Sequence, residues 1–170
     1  MDGMGGTLRY PWAAPPAYGE AIEVAPGVLW IRLPLPMALD HVNIYALDDG
    51  DSWTIVDTGI HSKRSVKLWE SILAGPLQGK PVGRVLLTHH HPDHVGMAGW
   101  LMDRFGAELM TSRTAWLMAR MLILDEEERP TEQALAYWRS AGMDPEVFEA
   151  RRNDRPYNFS DVCYPLPVGY

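Results

Sequence analysis

Hydrophobic and polar positions alternate in short runs through the first third of the chain, as they do in strands that bury one face. The first two runs flank Pro26 and Gly27, and this spacing predicts a β-hairpin. A polar turn over residues 48–51 separates the next two runs and predicts a second strand pair. The predicted strands cover residues 22–24, 28–33, 42–47 and 53–57. Together they predict an antiparallel meander.

The middle of the chain changes to alternating helices and short strands. Ser62, a residue type that commonly caps helices, precedes apolar residues at helical spacing. Gly75 and Pro76 then end the helical pattern. The predicted elements are a helix over residues 63–73, a buried strand over 85–87, a helix over 96–105 and a strand over 108–111.

The last third is helical in pattern and then rich in proline. Ser112 and Asp144 are suitable N-caps, and the pattern predicts three helices: one that follows Ser112 and reaches residue 124, one over residues 131–141, and one that follows Asp144 and reaches about residue 152. We therefore expect four parts of the chain. These are an irregular amino-terminal arm (1–20), a folded half with the candidate chemistry (21–111), a helical insertion (112–152) and an extended tail (153–170).

Composition and charge exclude several classes of protein. The 170 residues are 46% hydrophobic and 22% charged, which fits one globular domain and argues against disorder. The net charge of −7 disfavours nucleic acid and anionic lipid as partners. Cys163 is the single cysteine, so an internal disulfide or a cysteine-based metal site is excluded. No apolar run approaches a membrane span or a secretory leader, and we expect a cytoplasmic protein with no membrane contact.

The candidate chemistry is concentrated in one loop. Residues 89–94 hold four histidines and an aspartate, of which His89, His91, Asp93 and His94 form an HxHxDH pattern between a predicted buried strand and a predicted helix. Imidazoles and a carboxylate suit zinc, with iron or manganese as alternatives. A chance histidine-rich loop is the competing interpretation, and the ordered context disfavours it. His90 lies between the ligand positions and is expected to point away.

The segment LLTHHHPDHVG at residues 86–96 resembles the signature of the metallo-β-lactamase-fold hydrolases, and IVDTG at residues 55–59 resembles the family's preceding motif. The resemblance implies an α+β fold, a four-layer αββα sandwich of which the amino-terminal half is present, with a metal site at one edge. It implies that His89 and His91 hold a first zinc ion and that Asp93 and His94 hold a second.

The resemblance also implies roles in catalysis. Asp57 is expected to hold the metal loop (residues 89–94) in place without binding the metal. The alternative is a strand-end aspartate that only caps a turn. A hydroxide that bridges the two metals is the implied nucleophile, and Asp93 is the implied catalytic residue that orients it.

The sequence departs from the family pattern after His94, where it contains no further histidine. Family members add a third histidine, a bridging aspartate and a last histidine, so each metal here has two ligands instead of three. We expect a partial or empty site, little activity in these 170 residues, and a chain that is the front part of a longer protein. A partner chain, or weak substitution by His41 or His61, is the alternative source of ligands.

The remaining candidates have simpler interpretations. His61 is expected to be an exposed histidine at a helix start, and Cys163 is not expected to be a nucleophile. The helical insertion is expected to pack on its own domain, with a lid over the metal site or a homodimer contact as alternatives. The arginines at 151, 152 and 155 suit a solvated helix end as well as a phosphate contact.

The leading functional hypothesis is a metal-dependent hydrolase that acts on a cytosolic small-molecule ester or thioester. The absence of a visible secretory signal disfavours an exported antibiotic hydrolase, and the acidic charge disfavours a nuclease of the same fold. Three alternatives stay open: a mononuclear-iron enzyme that oxidises sulfur compounds, a nuclease, and a non-catalytic assembly module. Iron content with oxygen uptake would favour the redox enzyme, and zinc content with ester turnover would favour the hydrolase.

Overall fold

The structure is a computed structural model that describes residues 11–167. The first ten residues of the predicted arm and the last three of the predicted tail lie outside the described residues. Residues 11–20 contain no helix or strand. None of the helices within residues 11–167 is long and apolar enough to cross a membrane.

Six strands form one mixed sheet in the order β1-β2-β3-β4-β5-β6. The first four strands pair antiparallel, which confirms the predicted meander, and β4, β5 and β6 pair parallel. The strands are β1 (Ala21–Ala25), β2 (Val28–Pro34), β3 (His41–Asp48), β4 (Trp53–Val56), β5 (Val82–Leu86) and β6 (Glu108–Met110).

The helices follow the predicted order, and side chains of Ser62, Ser112 and Thr131 cap three of them by accepting backbone N–H groups. The α-helices are α1 (Lys63–Ala74), α2 (Pro92–Val95), α3 (Ala98–Phe105), α4 (Arg113–Leu124), α5 (Glu132–Ser140) and α6 (Pro145–Arg151). A 3-10 helix, Phe159–Asp161, follows them.

Two predicted elements differ from the structure. The helix expected to start at Gly96 is preceded by α2, which begins at Pro92 inside the histidine motif because proline suits the first helical position. The tail is not simply extended, since it contains the 3-10 helix and buries Cys163 and Leu166. Burial of these two side chains gives the tail a fixed place on the domain.

The hydrophobic core lies between the sheet and the helices α1 and α3. The inward strand residues Ile31, Ile44 and Ile55 are fully buried, together with Trp69 of α1 and Leu101 of α3. On the opposite sheet face, Tyr45 and Met110 are exposed. One sheet with its helical layer is the amino-terminal half of a four-layer αββα sandwich, as the sequence predicts.

Parallel pairing of β4 and β5 positions the candidate chemistry. Strands that run in the same direction end at the same edge of the sheet, so the segments that follow them are neighbours. Asp57 follows β4 directly, and the histidine motif follows β5. The two motifs that the sequence separates by about thirty positions therefore meet at one edge.

Candidate metal centre

Asp57 connects the two motifs. Its backbone has φ of 59°, a left-handed conformation that aspartate tolerates better than most residues, and its side chain is buried. One carboxylate oxygen accepts the backbone N–H of Thr88 at 2.9 Å. The other accepts the hydroxyl of Thr88 and Nδ1 of His94, both at 2.8 Å. Asp57 is therefore a bridge between strand ends and not only a turn cap.

The ionisation of Asp57 and His94 is set by their contact. Burial alone raises the pKa of Asp57, but hydrogen bonds from His94 and Thr88 outweigh burial, and the pKa is lowered. Burial alone lowers the pKa of His94, but the hydrogen bond to Asp57 and the charges of Asp57 and Asp93 outweigh it, and the pKa is raised. Each partner therefore favours the charged form of the other.

The predicted metal ligands lie together. The ring centre of His89 is 4.5 Å from that of His91 and 4.0 Å from that of His94. Nε2 of His94 is 3.2 Å from a carboxylate oxygen of Asp93. His94 thus lies between two carboxylates, with Nδ1 turned to Asp57 and Nε2 turned to Asp93.

The imidazole rings disfavour positive charge in one another. The pKa of His89 is lowered, first by burial and then by the neighbouring His94 and His91. A divalent cation needs neutral imidazole and ionised carboxylate as ligands. The lowered pKa of His89 and that of Asp57 favour those protonation states at these two residues, whereas the raised pKa of His94 favours the imidazolium when no metal is bound.

The residue types and the hydrogen bond that orients His94 suit a metal site, but the donor atoms do not surround a common point. Within residues 11–167, no group of three or more histidine, cysteine, aspartate or glutamate side chains is arranged to hold an ion. The donors contact each other instead, as Nε2 of His94 does with Asp93. The hydrogen bond from Nδ1 to a buried carboxylate is the support that metal-binding histidines commonly have.

Thr58 holds the metal loop in place, a role that sequence reasoning missed. Its backbone N–H and its hydroxyl both donate to the carbonyl of His94, at 2.8 and 2.7 Å. The hydroxyl also accepts the N–H of Met97, and the carbonyl of Thr58 accepts Nε1 of buried Trp69 at 2.9 Å. The sequence signal was the threonine directly after Asp57 in the IVDTG motif.

The other histidines are placed around this centre. His61 is not the exposed residue that the sequence predicts: it is half-buried, burial lowers its pKa, and its ring lies edge-on to Tyr164 at 5.4 Å. Its N–H donates to the carbonyl of Val162, so the tail covers it. His90 has its ring centre 5.0 Å from that of His91, and His41 pairs with Asp40.

The tail lies against the metal loop. The N–H of Tyr164 donates to the carbonyl of Gly96 at 2.7 Å, directly after the motif. Burial raises the pKa of the Cys163 thiol to about 12, with a contribution from the charge of Asp93. A thiol this protonated is not a nucleophile at neutral pH, as the sequence predicts. The role of residues 112–152 as lid or dimer contact stays a prediction.

Comparison with known proteins identifies the family. The sequence model of the metallo-beta-lactamase superfamily matches residues 37–161, which include both motifs and α4–α6. The probable metallo-hydrolase YqjP of Bacillus subtilis (strain 168) is 30% identical over 103 residues, which are 60% of this chain and 32% of that protein.

Two solved structures share the fold. A beta-lactamase domain protein from Burkholderia ambifaria is 36% identical with a TM-score of 0.76, over 95% of this chain and 46% of that one. A metallo-beta-lactamase family protein from Thermus thermophilus is 28% identical with a TM-score of 0.57, over 86% of this chain and 47% of that one. The chain therefore spans about a third of the curated relative and about half of the solved ones. It belongs to the metallo-beta-lactamase superfamily.

Proposed function

We propose that the full-length protein is a metal-dependent hydrolase of small-molecule esters or thioesters, with two zinc ions at the centre described above. His89 and His91 hold the first ion, and Asp93 and His94 hold the second. The observation that carries this assignment is the position of His94, which donates Nδ1–H to Asp57 and turns Nε2 toward Asp93.

Asp57 acts through His94. A carboxylate that accepts Nδ1–H fixes the tautomer in which the lone pair is on Nε2, the nitrogen available to a cation. The two hydrogen bonds from Thr88 hold this carboxylate in place, so its orientation does not depend on the metal. Asp57 is a positioning residue that prepares the ligand set before a cation binds.

Bound divalent cations supply Lewis acidity and lower the pKa of a water toward about 7, which makes hydrolysis possible at neutral pH. With cations bound, Asp93 would accept a hydrogen bond from that water and orient it toward the substrate carbonyl. Its side chain is 20% exposed, so it can contact both a ligand and His94. This dual position supports the choice of Asp93 as the catalytic residue.

The present residues supply two ligands to each ion, whereas a catalytic zinc usually has three from the protein. We therefore propose that the 170-residue chain alone binds metal incompletely and does not turn over substrate at the rate of the full-length protein. The preference for a small molecule over a polyanion such as a nucleic acid rests on the net charge of −7, which repels polyanions.

Metal analysis tests the ligand assignment directly. The full-length wild type and its Asp93→Asn and His94→Ala variants are dialysed against zinc, and the bound zinc is measured by mass spectrometry. We expect both variants to lose zinc, and His90→Ala, a matched control in the same loop, to keep it. Equal zinc in wild type and both variants would contradict the assignment.

Activity is measured on the full-length protein with a thioester and an ester substrate. We expect zinc-dependent hydrolysis that Asp93→Asn reduces by about a hundredfold or more, the size expected when an orienting group is lost. Iron content with oxygen uptake, and no hydrolysis, would contradict the hydrolase proposal and favour the redox enzyme.

A further inference from the structure

A stripe of exposed apolar side chains runs along α4, opposite the face that packs on its own domain. The packed face is buried through Ala115, Ala119 and Ile123. The exposed stripe consists of Leu117, Met121 and Leu124, each half exposed or more. Spacings of four and three residues place these side chains next to one another on one side of the helix. A continuous row of large apolar side chains in solvent is typical of a surface that contacts another molecule.

A charged residue stands at each end of this α4 stripe, and each has the sign that its own helix disfavours. Arg113, four positions before Leu117, is the first residue of α4, and Asp125, four positions after Met121, is its C-cap. Both residues are exposed. A helix dipole is positive at the amino terminus and negative at the carboxyl terminus, so both charges destabilise the isolated helix. Among residues 11–167, no ion pair compensates either charge.

The stripe is complementary to an antiparallel copy of itself. Positions 113 and 125 are equally far from position 119, and so are positions 117 and 121. A twofold axis beside position 119 would therefore place Arg113 opposite Asp125 of a second copy, and Leu117 opposite Met121. Each charge would then also lie near the end of the other helix that favours it. A parallel copy would instead place like charges side by side.

We propose that the protein forms a homodimer through the α4 stripe, with the two helices antiparallel about a twofold axis. The apolar side chains form the centre of the contact, and two ion pairs between Arg113 and Asp125 fix the direction and register of the helices. The charge pattern favours a second copy over a different protein, because the stripe already carries the complement of its own charges. The inference does not depend on the proposed hydrolase function, since no metal or substrate takes part in the contact.

Sedimentation equilibrium of the full-length protein and its variants tests this dimer. Arg113→Glu and Asp125→Arg should each raise the dimer Kd about tenfold or more, because each change creates two like-charge contacts. The double variant Arg113→Glu/Asp125→Arg exchanges the charges and should restore the wild-type Kd. Both exchanged charges suit the helix dipole, so loss of the helix cannot imitate the effect. Lys67→Glu, a change of an exposed cation on α1, is the matched control and should leave the Kd unchanged.

A dimer that the single charge changes leave intact, or a double variant no better than the single ones, would overturn the antiparallel register. A wild type that is monomeric at about 0.1 mM would overturn the homodimer. Labelling of Leu117→Cys with a maleimide then identifies what covers the stripe. A shielded thiol in a monomer would assign the stripe to a downstream part of the full-length chain, and an open thiol would leave it to a different protein. Either result contradicts the proposal.

Discussion

Nδ1 of His94 lies 2.8 Å from Oδ2 of Asp57, across 37 positions of sequence. This hydrogen bond joins the segment after β4 to the segment after β5, and both partners are shielded from solvent, with side chains 21% and 7% exposed. Loss of one partner of a shielded, oppositely charged pair leaves the other charge uncompensated, which destabilises the folded state. The contact therefore holds the two segments together, and we expect it to support both stability and metal binding.

Replacing Asp57 by Asn should weaken zinc binding by about ten- to a hundredfold, the range seen when groups that support metal ligands are changed. The amide keeps the shape of the carboxylate but removes the charge that fixes the tautomer of His94. Competition with a chromophoric chelator measures the affinity. Asp51→Asn, in an exposed turn, is the control and should bind zinc as wild type does. Equal affinity in wild type and Asp57→Asn would show that Asp57 only caps a turn.

The stability of the metal-free chain should depend on pH through the same pair. The raised pKa of His94 contributes stability that is present below 6.5 and is lost as pH rises through the folded-state pKa. The lowered pKa of Asp57 contributes stability that is present above 3.8 and is lost as pH falls through its folded-state pKa. In urea unfolding, the difference in the free energy of unfolding between wild type and Asp57→Asn should therefore be larger at about pH 5 than at about pH 9. A separation that grows with pH would contradict this pairing.

Thr58 supplies a second test of how the loop is held. Thr58→Val keeps the shape of this fully buried side chain but removes the hydroxyl that bonds the carbonyl of His94 and the N–H of Met97. We expect a loss of about 2 kcal/mol in the free energy of unfolding. Thr58→Ser keeps the hydroxyl and should lose about 1 kcal/mol, the cost of one methyl group. If serine were the more damaging change, packing and not hydrogen bonding would hold the loop.

Much of this organisation is readable in the sequence because it depends on local pattern. Alternation of apolar residues predicts the meander, and Ser62 marks the start of α1 because its hydroxyl can accept the N–H of Ser65. The clustering of His89, His91, Asp93 and His94 is visible as spacing alone. The sequence pattern also predicts that these residues follow a buried strand, and in the structure they follow β5.

Other features could not be predicted because they depend on contacts between distant segments. The burial of His61 results from the tail, whose Val162 and Tyr164 pack against it from about one hundred positions away. The bonds of Thr58 to His94 likewise require β4 and β5 to be neighbours. The local sequence of neither segment predicts these contacts, because they result from the parallel pairing of the two strands.

Close approach of the tail to α3 predicts an unusual effect of a helix-favouring change. A Cβ atom at Gly99 would lie closer than 3.0 Å to the carbonyl oxygen of Pro165, so Gly99→Ala must displace the tail. Alanine favours a helix by about 1 kcal/mol over glycine, but overpacking against backbone costs about 3 kcal/mol. We expect a net loss of about 2 kcal/mol in urea unfolding.

Gly79→Ala is the control for this substitution. Gly79 has φ of +87° and open space around its Cβ position, so only backbone strain of about 1 kcal/mol is expected there. If Gly99→Ala were as stable as wild type, the tail would not be packed on α3 in solution.

Cys163 reports whether the tail stays in place, because it is the only cysteine and is 2% exposed. Its pKa of about 12, against an ordinary 9.0, reduces the reactive thiolate about a thousandfold at about pH 8. Iodoacetamide should therefore label the folded chain at least that much more slowly than the chain in urea, as mass spectrometry of the single adduct would show. Gly99→Ala should label faster than wild type, since a displaced tail exposes the thiol. Rapid labelling of the folded wild type would mean that the tail leaves the metal loop.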